Sequence, residues 1–372
     1  MGALVKGLPI VETAIVASHT SSFWKSLDAL AQEDRETALT PSQIKKSQRT
    51  EAIAVADDVP SKPHRFQLED VAVIIPTYNA GSEFALLRDS LMASGLAPDQ
   101  ILVLDSQSKD RTRETATAAG FQVESILARD FRHGKSRQFA ASFVPQAKIL
   151  VFMTQDAMLA DAHSVSNLIS AFDDAAVGAA FGRQLPRPEA GAIERHGRLF
   201  NYPETSYVRV YEDRERVGFR VAFFSNSFAA YRRDAFDSVG GFNPEVIIGE
   251  DATMAAQLLS SGWKTVYRSD AKVVHSHDFN FSQVLSRYFD TGVYHARTPW
   301  LIETFGGAGG EGRKFVISEF NYLREHDPLA IPRAATLTFA KFLGYKLGRM
   351  EARLPLSLKL RLTGQRSYWN HS

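Results

Sequence analysis

Four groups of residues in this chain have the types and spacing that chemistry requires. Asp156 closes the stretch Thr154-Gln155-Asp156. A carboxylate at the tip of a strand can hold a divalent cation, and the cation can hold a diphosphate. His275 and His277 stand two apart, so they share a face if the chain there is extended, and with Asp156 they would complete a nitrogen and oxygen ligand set. Glu250 and Asp251 follow Gly249 at a helix start, where a carboxylate can serve as general base toward a hydroxyl. Arg132, His133, Lys135 and Arg137 form a basic cluster in which arginine offers a forked donor for a diphosphate. Each group also has a plainer reading. Asp156 alone would cap the next helix, and either histidine alone would be structural. Adjacent acids stabilise a helix start by about 0.3 to 1 kcal/mol, and a basic cluster is commonly a solvated face.

The elements that must position these residues are legible in the pattern of apolar runs. Val71 to Ile75 reads as a buried strand stopped by Pro76, followed by the loop Thr77-Tyr78-Asn79-Ala80-Gly81. Ser82 reads as an N-cap to a helix striped by Phe84, Leu87 and Leu91 and ended by Gly95. Ile101 to Leu104 is a second strand, running into Asp105 to Asp110; a helix over Arg111 to Ala119 and a strand within Phe121 to Leu127 follow. After a short helix at Ser136 to Phe143 comes the apolar run Ile149 to Met153, which delivers Gln155 and Asp156. Strand and helix alternate with short loops, which predicts a parallel sheet with crossover helices. Its carboxyl edge would gather Thr77, Tyr78, Asp105, Gln155 and Asp156. The absence of G-x-G-x-x-G after the first strand argues against a dinucleotide fold, and the absence of the P-loop motif excludes a P-loop.

Further on the pattern loosens. Ser164 to Phe172 reads as helix, Val177 to Gly182 as strand, and Arg183 to Tyr207 as a proline-bearing loop or short helix. Phe228 to Tyr231 reads as strand, Asp234 to Val239 as helix, and Glu250 to Ser261 as an amphipathic helix closed by Gly262. Thr265 to Tyr267 and Lys272 to His275 are predicted as two short strands, and Trp300 to Gly312 as a glycine-rich mobile loop.

Composition narrows the classes. At 372 residues the chain exceeds a single small core. A formal net charge of +1 argues against a nucleic-acid partner held by bulk charge. The absence of cysteine removes disulfides and thiolate chemistry. No apolar run approaches the roughly 20 residues of a membrane span, and Met1 to Ser18 lacks a signal-peptide layout, so the expected location is cytoplasmic.

Taken together, these residues resemble family-2 glycosyltransferases of the GT-A fold, over roughly residues 70 to 300. Pro76-Thr77-Tyr78-Asn79 is similar to the family's first nucleotide loop, and Leu104 to Thr112 to its second, where the first Asp reads the base. Thr154-Gln155-Asp156 stands where the family has D-x-D, and Gly249-Glu250-Asp251 resembles the start of the helix carrying the base. Within the family the likeness is closest to bacterial rhamnosyltransferases. His133-Gly134-Lys135-Ser136-Arg137, Thr154-Gln155-Asp156-Ala157, Phe224-Ser225-Asn226, Tyr231-Arg232-Arg233, Gly240-Gly241-Phe242 and Arg287 to Val293 carry that likeness. One departure concerns metal: Thr154 replaces the first carboxylate of D-x-D, leaving Asp156 to bind the ion directly.

The resemblance implies an α/β fold with a GT-A-type, mostly parallel sheet flanked by helices, carrying an N-terminal extension and a C-terminal helical tail. The expected domains are residues 1–65 (extension and linker), 66–300 (catalytic) and 301–372 (glycine-rich loop and basic tail). It implies an inverting transfer, with L-rhamnose from dTDP-L-rhamnose as donor and a polysaccharide or lipid-linked glycan as acceptor. The expected site has Asp251 as base with Glu250 as the fallback, and Pro76, Thr77, Tyr78, Asn79, Asp105, Arg137 and Gln155 around the nucleotide sugar. Asp156, His275 and His277 would hold Mg2+ or Mn2+. Three alternatives stay open: a UDP- or GDP-sugar donor, a catalytically inactive sugar-nucleotide-binding protein, and a nucleotidyltransferase. The last would need a glycine- and arginine-rich activation loop, which Thr77 to Gly81 is not.

Between Arg333 and Arg366 eight basic residues face one acid, Glu351, and Phe339, Phe342, Leu343 and Leu347 recur at helical spacing. Such a helix either lies on an anionic membrane surface, on the inner face, or docks on the catalytic domain or another subunit.

Overall fold

The computed structural model describes residues 65–307 and 309–369. The expected helix at Ser22 to Gln32, the element at Ile10 to Val16 and the linker at Gln43 to Pro63 lie outside the described residues.

The first half alternates as its sequence pattern requires: β1 (Val71–Thr77), α1 (Glu83–Ala93), β2 (Ile101–Asp105), α2 (Thr112–Ala118), β3 (Gln122–Ser125), α3 (His133–Ala141) and β4 (Ile149–Met153). β1, β2 and β4 are buried along their whole length, as central strands covered on both faces must be. These four strands are parallel, in the order β3-β2-β1-β4. Pro76 does not stop β1. It sits inside the strand, opposite Leu104. The β4 ladder ends two residues before Pro76, at Ile74 opposite Phe152, so the missing N–H of Pro76 breaks no bond on that side.

The second half adds β5 (Met158–Leu159), α4 (Ser164–Ile169), β6 (Val177–Leu185), α5 (Ala192–Asn201), β7 (Tyr207–Arg209), α6 (Arg214–Val217), β8 (Phe228–Arg232), α7 (Arg233–Ser238), α8 (Glu250–Ser260) and β9 (Lys264–Val274). β8 pairs antiparallel with both β4 and β6, β9 runs parallel to β6, and β5 and β7 pair antiparallel with β9. The sheet is therefore mixed: a parallel N-terminal half joined at β8 to a half of both senses. The two short strands expected over 265–275 are one strand. Its register against β6 shifts between Gly182 and Arg183, and this irregularity breaks the apolar alternation that would have marked one element. The segment read as a loop or short helix over 183–207 contains the helix α5, and also the end of β6.

Alternating residues of the strands feed two layers. Val73, Ile75, Val103 and Val151 pack with Phe84, Leu87, Leu91 and Leu168 from α1 and α4. Ile74, Leu104 and Phe152 face the other side, against Ala140, Phe236, Met254 and Leu258 from α3, α7 and α8.

The remaining helices are α9 (Phe281–Arg297), α10 (Pro299–Phe305), α11 (Gly309–His326), α12 (Ile331–Arg349), α13 (Leu356–Leu362) and α14 (Arg366–Trp369). The expected loop over 300–312 is mostly helical, because Thr298-Pro299 starts α10 cleanly and, among the described residues, Gly306 and Gly307 interrupt the run before α11. α12 docks on α9, but not through the aromatic stripe. Ala334, Leu337, Ala340, Gly344 and Gly348 are the buried positions, while Phe339 is half exposed. Any Cβ at Gly348 would collide with the Phe289 carbonyl, so glycine is what lets the two helices touch backbone to backbone. The C-terminus returns to the core: Ser367 donates to the Phe131 carbonyl, and Arg297 bonds the Tyr368 hydroxyl. No helix among the described residues is long and apolar enough to cross a membrane.

Candidate active site

Parallel pairing sets the first part of the site. Thr77 lies opposite Asp105 in the β1–β2 ladder, and its hydroxyl donates to Asp105 Oδ1 at 3.3 Å. Ser108 N–H donates to Asp105 Oδ2 at 2.9 Å. Both Thr77 and Asp105 are buried, so Thr77 organises the loop rather than facing open space. The two loops are laced together: Asn79 N–H bonds Ser108 Oγ, Asn79 Oδ1 accepts from Lys109 N–H, and Gly81 N–H bonds Asp110. Asn79 holds φ 46° for this, a left-handed conformation that Asn tolerates better than most residues. Tyr78 is thrown outward and is half exposed. Gln155, expected to reach a ribose or phosphate, instead grips the Tyr78 backbone from both sides. Its Oε1 accepts from Tyr78 N–H at 2.7 Å and its Nε2 donates to the Tyr78 carbonyl at 3.2 Å.

Asp156 meets both histidines. His275 Nε2 is 3.4 Å from Oδ1 and His277 Nε2 is 3.3 Å from Oδ2, and the three ligand atoms lie within 4.8 Å of one another. The two-residue strand β5 makes this meeting possible: Met158 pairs with Val274, so the residues just before one and just after the other are brought side by side. Burial works against ionising Asp156; only with protons on the facing Nε2 atoms, that of His275 first, would the two histidines outweigh it and hold the carboxyl below its ordinary range. Burial pushes His277 down to about 4 and His275 below its usual value, which keeps both imidazoles neutral.

The donor set fits a metal ion. Arg198, which can only donate, bonds Gln184 Oε1, and His275 Nδ1 lies 2.9 Å from the same oxygen, so Nδ1 carries the proton. In a neutral His275 the Nε2 lone pair then faces the Asp156 carboxylate, an unfavourable arrangement that a cation between them resolves. Gln184 thus occupies the outer position that commonly fixes a metal-binding imidazole.

The acid pair is built on α8. Gly249 precedes it at φ 75°, and an added Cβ there would meet the Tyr294 ring at 2.8 Å. Glu250 turns inward. It is buried, with Arg137 Nη1 3.2 Å from its Oε1 and the Asn226 side-chain amide donating to the same oxygen at 3.1 Å. Burial opposes its charge, yet Arg137 and His133 prevail and its pKa falls. Asp251 keeps part of its surface open and accepts the Asn226 backbone N–H at 3.1 Å. Burial, then the neighbouring Glu250 charge, lifts its pKa to about 6. Asn226 therefore orients both acids. Ser225, next to it, accepts from Gln184 Nε2 at 2.8 Å, so one run of contacts joins Asp156, His275, Gln184, Ser225, Asn226 and Asp251.

Arg137, expected at the diphosphate, is buried with its Nη1 on Glu250 and the His133 carbonyl, while its Nε has no hydrogen-bond partner. Of the basic cluster only Lys135 is exposed, and Arg132 stacks over Tyr368 at 5.5 Å.

Residues 72–240 match the family described as Glycosyl transferase family 2. The chain is 44% identical over 302 residues, 81% of its length and 96% of the relative's, to the O-antigen chain rhamnosyltransferase RfbN of Salmonella typhimurium. It belongs to glycosyltransferase family 2. A second relative, the O-antigen chain rhamnosyltransferase WbaN of Salmonella anatum, is 41% identical over 300 residues, 80% of this chain and 95% of the relative. Among solved structures, a mannosyltransferase from Pyrobaculum calidifontis in complex with GDP-Man and Mn2+ covers 96% of both chains at 18% identity and a TM-score of 0.49.

For a family-2 glycosyltransferase, the residues that sequence reasoning passed over are those that connect the motifs. Gln184 and Arg198 lie within the segment read as a loop or short helix, where no periodicity marks them. Arg187, in the same stretch, forms a two-pronged pair with Glu83 at 2.9 Å, and its buried Nε–H has no acceptor among the described residues. Asn226 was quoted within a motif without a role. A polar residue between apolar runs just ahead of a buried strand was the available signal.

Proposed function

We propose that this glycosyltransferase moves L-rhamnose from dTDP-L-rhamnose to a hydroxyl of a polysaccharide or lipid-linked glycan, inverting the anomeric centre. The single observation that carries the mechanism is the split between two adjacent acids: Glu250 locked as an anion against Arg137, Asp251 partly open with a pKa near 6. A base poised near neutral pH is what general base catalysis requires. The donor assignment draws on the two relatives, both named as rhamnosyltransferases.

In this reading Tyr78 stacks on the base, and Asp105 fixes the loop that holds it. Asp156, His275 and His277 hold the cation, for which Mn2+ suits the two nitrogen ligands better than Mg2+. When bound, it neutralises charge on the leaving diphosphate. Arg198, whose charge is felt at both Asp156 and His277, adds to that field. Asp251 takes the acceptor's hydroxyl proton as the oxygen bonds to the anomeric carbon. The bond from that carbon to the diphosphate oxygen breaks, and dTDP leaves with the electron pair. Residues 66–300 are the catalytic unit, and the helices beyond it brace α9.

The test is a panel of dTDP-L-rhamnose, UDP-sugars and GDP-sugars, read by thermal shift and by release of nucleoside diphosphate. A ligand that binds only the folded state raises its stability. Stabilisation and turnover confined to UDP- or GDP-sugars would replace the donor. Binding without any transfer or hydrolysis would favour an inactive binding protein.

A further inference from the structure

A cavity of about 430 Å³ lies apart from the metal-ligating and acid groups, lined by Phe200, Arg209, Arg216, Val217, Arg220, Glu311 and Lys314. That volume is within the range of small-molecule sites, but the lining is not: such sites are mostly apolar, and here five of the seven lining residues are charged. Three of the four cations pair with two carboxylates. Arg220 bonds Glu311 at 2.6 Å, Lys314 bonds the same Glu311 at 2.7 Å, and Arg216 bonds Asp213 at 2.7 Å. Arg209 is left over. It forms no ion pair among the described residues, lies 4.2 Å over the Tyr207 ring, and its Nε is buried with no hydrogen-bond partner. A buried donor with no acceptor costs about 1–3 kcal/mol, and an incoming anion would repay it.

We infer that this cavity is a second binding site, specific for a phosphate or diphosphate group. Arg209, with an unpartnered Nε–H, and the exposed Arg216 and Lys314 together suit recognition of phosphate oxygens. The position suits an acceptor. The turn that carries Arg220 ends at Ala222, and the chain then runs through Phe223 and Phe224 into Ser225 and Asn226, which hold Gln184 and Asp251. Glu311 and Lys314 come from α11, so the site also joins the C-terminal helices to that turn. Assigning the anion to the acceptor rests on the transferase reading above; the binding itself does not.

The experiment is titration of the full-length protein with inorganic pyrophosphate by calorimetry, with chelator present so that no cation is left at Asp156 to hold a diphosphate. Saturable binding is expected, weakened at least tenfold by Lys314→Glu and by Arg216→Glu. Both side chains are largely exposed, so folding is not at risk, and Arg209→Gln should behave the same way. Asp156→Ala should leave it unchanged. Absence of binding, equal binding in the charge-reversal variants, or loss on Asp156→Ala overturns the site. Farnesyl diphosphate in place of pyrophosphate identifies the source: tighter binding supports a lipid-linked group, equal binding a free one. Nucleoside diphosphate release from the donor, measured separately, reports on the transferase reading alone.

Discussion

Glu250 and Asp251 are adjacent in the chain, yet the fold holds them in opposite electrostatic states through one shared partner, Asn226. The Asn226 side chain binds Glu250 and its backbone N–H binds Asp251. Arg137 reaches only Glu250 within ion-pair distance. One acid is thereby fixed as an anion and the other is made proton-hungry.

Replacing Asp251 by Asn is expected to lower kcat by about 10²–10⁴-fold, the usual worth of a general base, with donor binding retained. Initial rates and donor thermal shift on the same preparation decide it. Near-normal turnover would remove Asp251 from the role.

The same substitution should stabilise the fold. The carboxyl's folded pKa lies above its ordinary 3.8, so the native state binds that proton more tightly than the unfolded chain. Ionisation is therefore a cost, absent below 3.8, growing up to about 6 and constant above. At 1.36 kcal/mol per unit it reaches roughly 3 kcal/mol at most near neutral pH. Asp251→Asn should raise Tm at pH 7.5 and change it little at pH 4. An unchanged or lower Tm at pH 7.5 would contradict the proton-hungry state.

Activity should fall on the acid side as Asp251 protonates, with a midpoint near 6 in kcat/KM. Glu250→Gln removes a negative neighbour and leaves the Arg137 charge uncompensated. Both effects lower the Asp251 pKa, so the acid limb should move to lower pH. A limb that stays in place would show that Glu250 does not tune its neighbour.

Gln184→Leu should weaken Mn2+ binding by about 10–100-fold, the common effect of losing an outer partner of a ligating histidine, with Asp156, His275 and His277 intact. Electron paramagnetic resonance of free Mn2+ measures this without reference to turnover. Unaltered affinity would mean the imidazole needs no such support.

Tyr78→Ala should raise KM for the donor with little change in kcat or Tm, since the ring is half exposed. Loss of one base–aromatic stack is worth about 1–3 kcal/mol. An unchanged KM would place the base elsewhere.

The α/β class, the strand–helix alternation through β4 and the family were determined by the sequence alone. Apolar runs of strand length, turn residues between them and motifs in a set order are local properties, and they survive without coordinates. Local pattern also placed Asp156, Glu250 and Asp251 at element ends. What it could not decide was direction and partnership. Whether Glu250 or Asp251 faces inward depends on Arg137 and Asn226, remote in sequence from each other. Whether His275 and His277 reach Asp156 depends on β5, too short to show periodicity, pairing across more than a hundred residues with the end of β9. Arg137 looked like a ligand for phosphate because charge is visible in sequence and burial is not. The tail's docking face was not legible because its contact runs through glycine and alanine, whose value lies in the space they leave, and only a packed neighbour gives that space meaning.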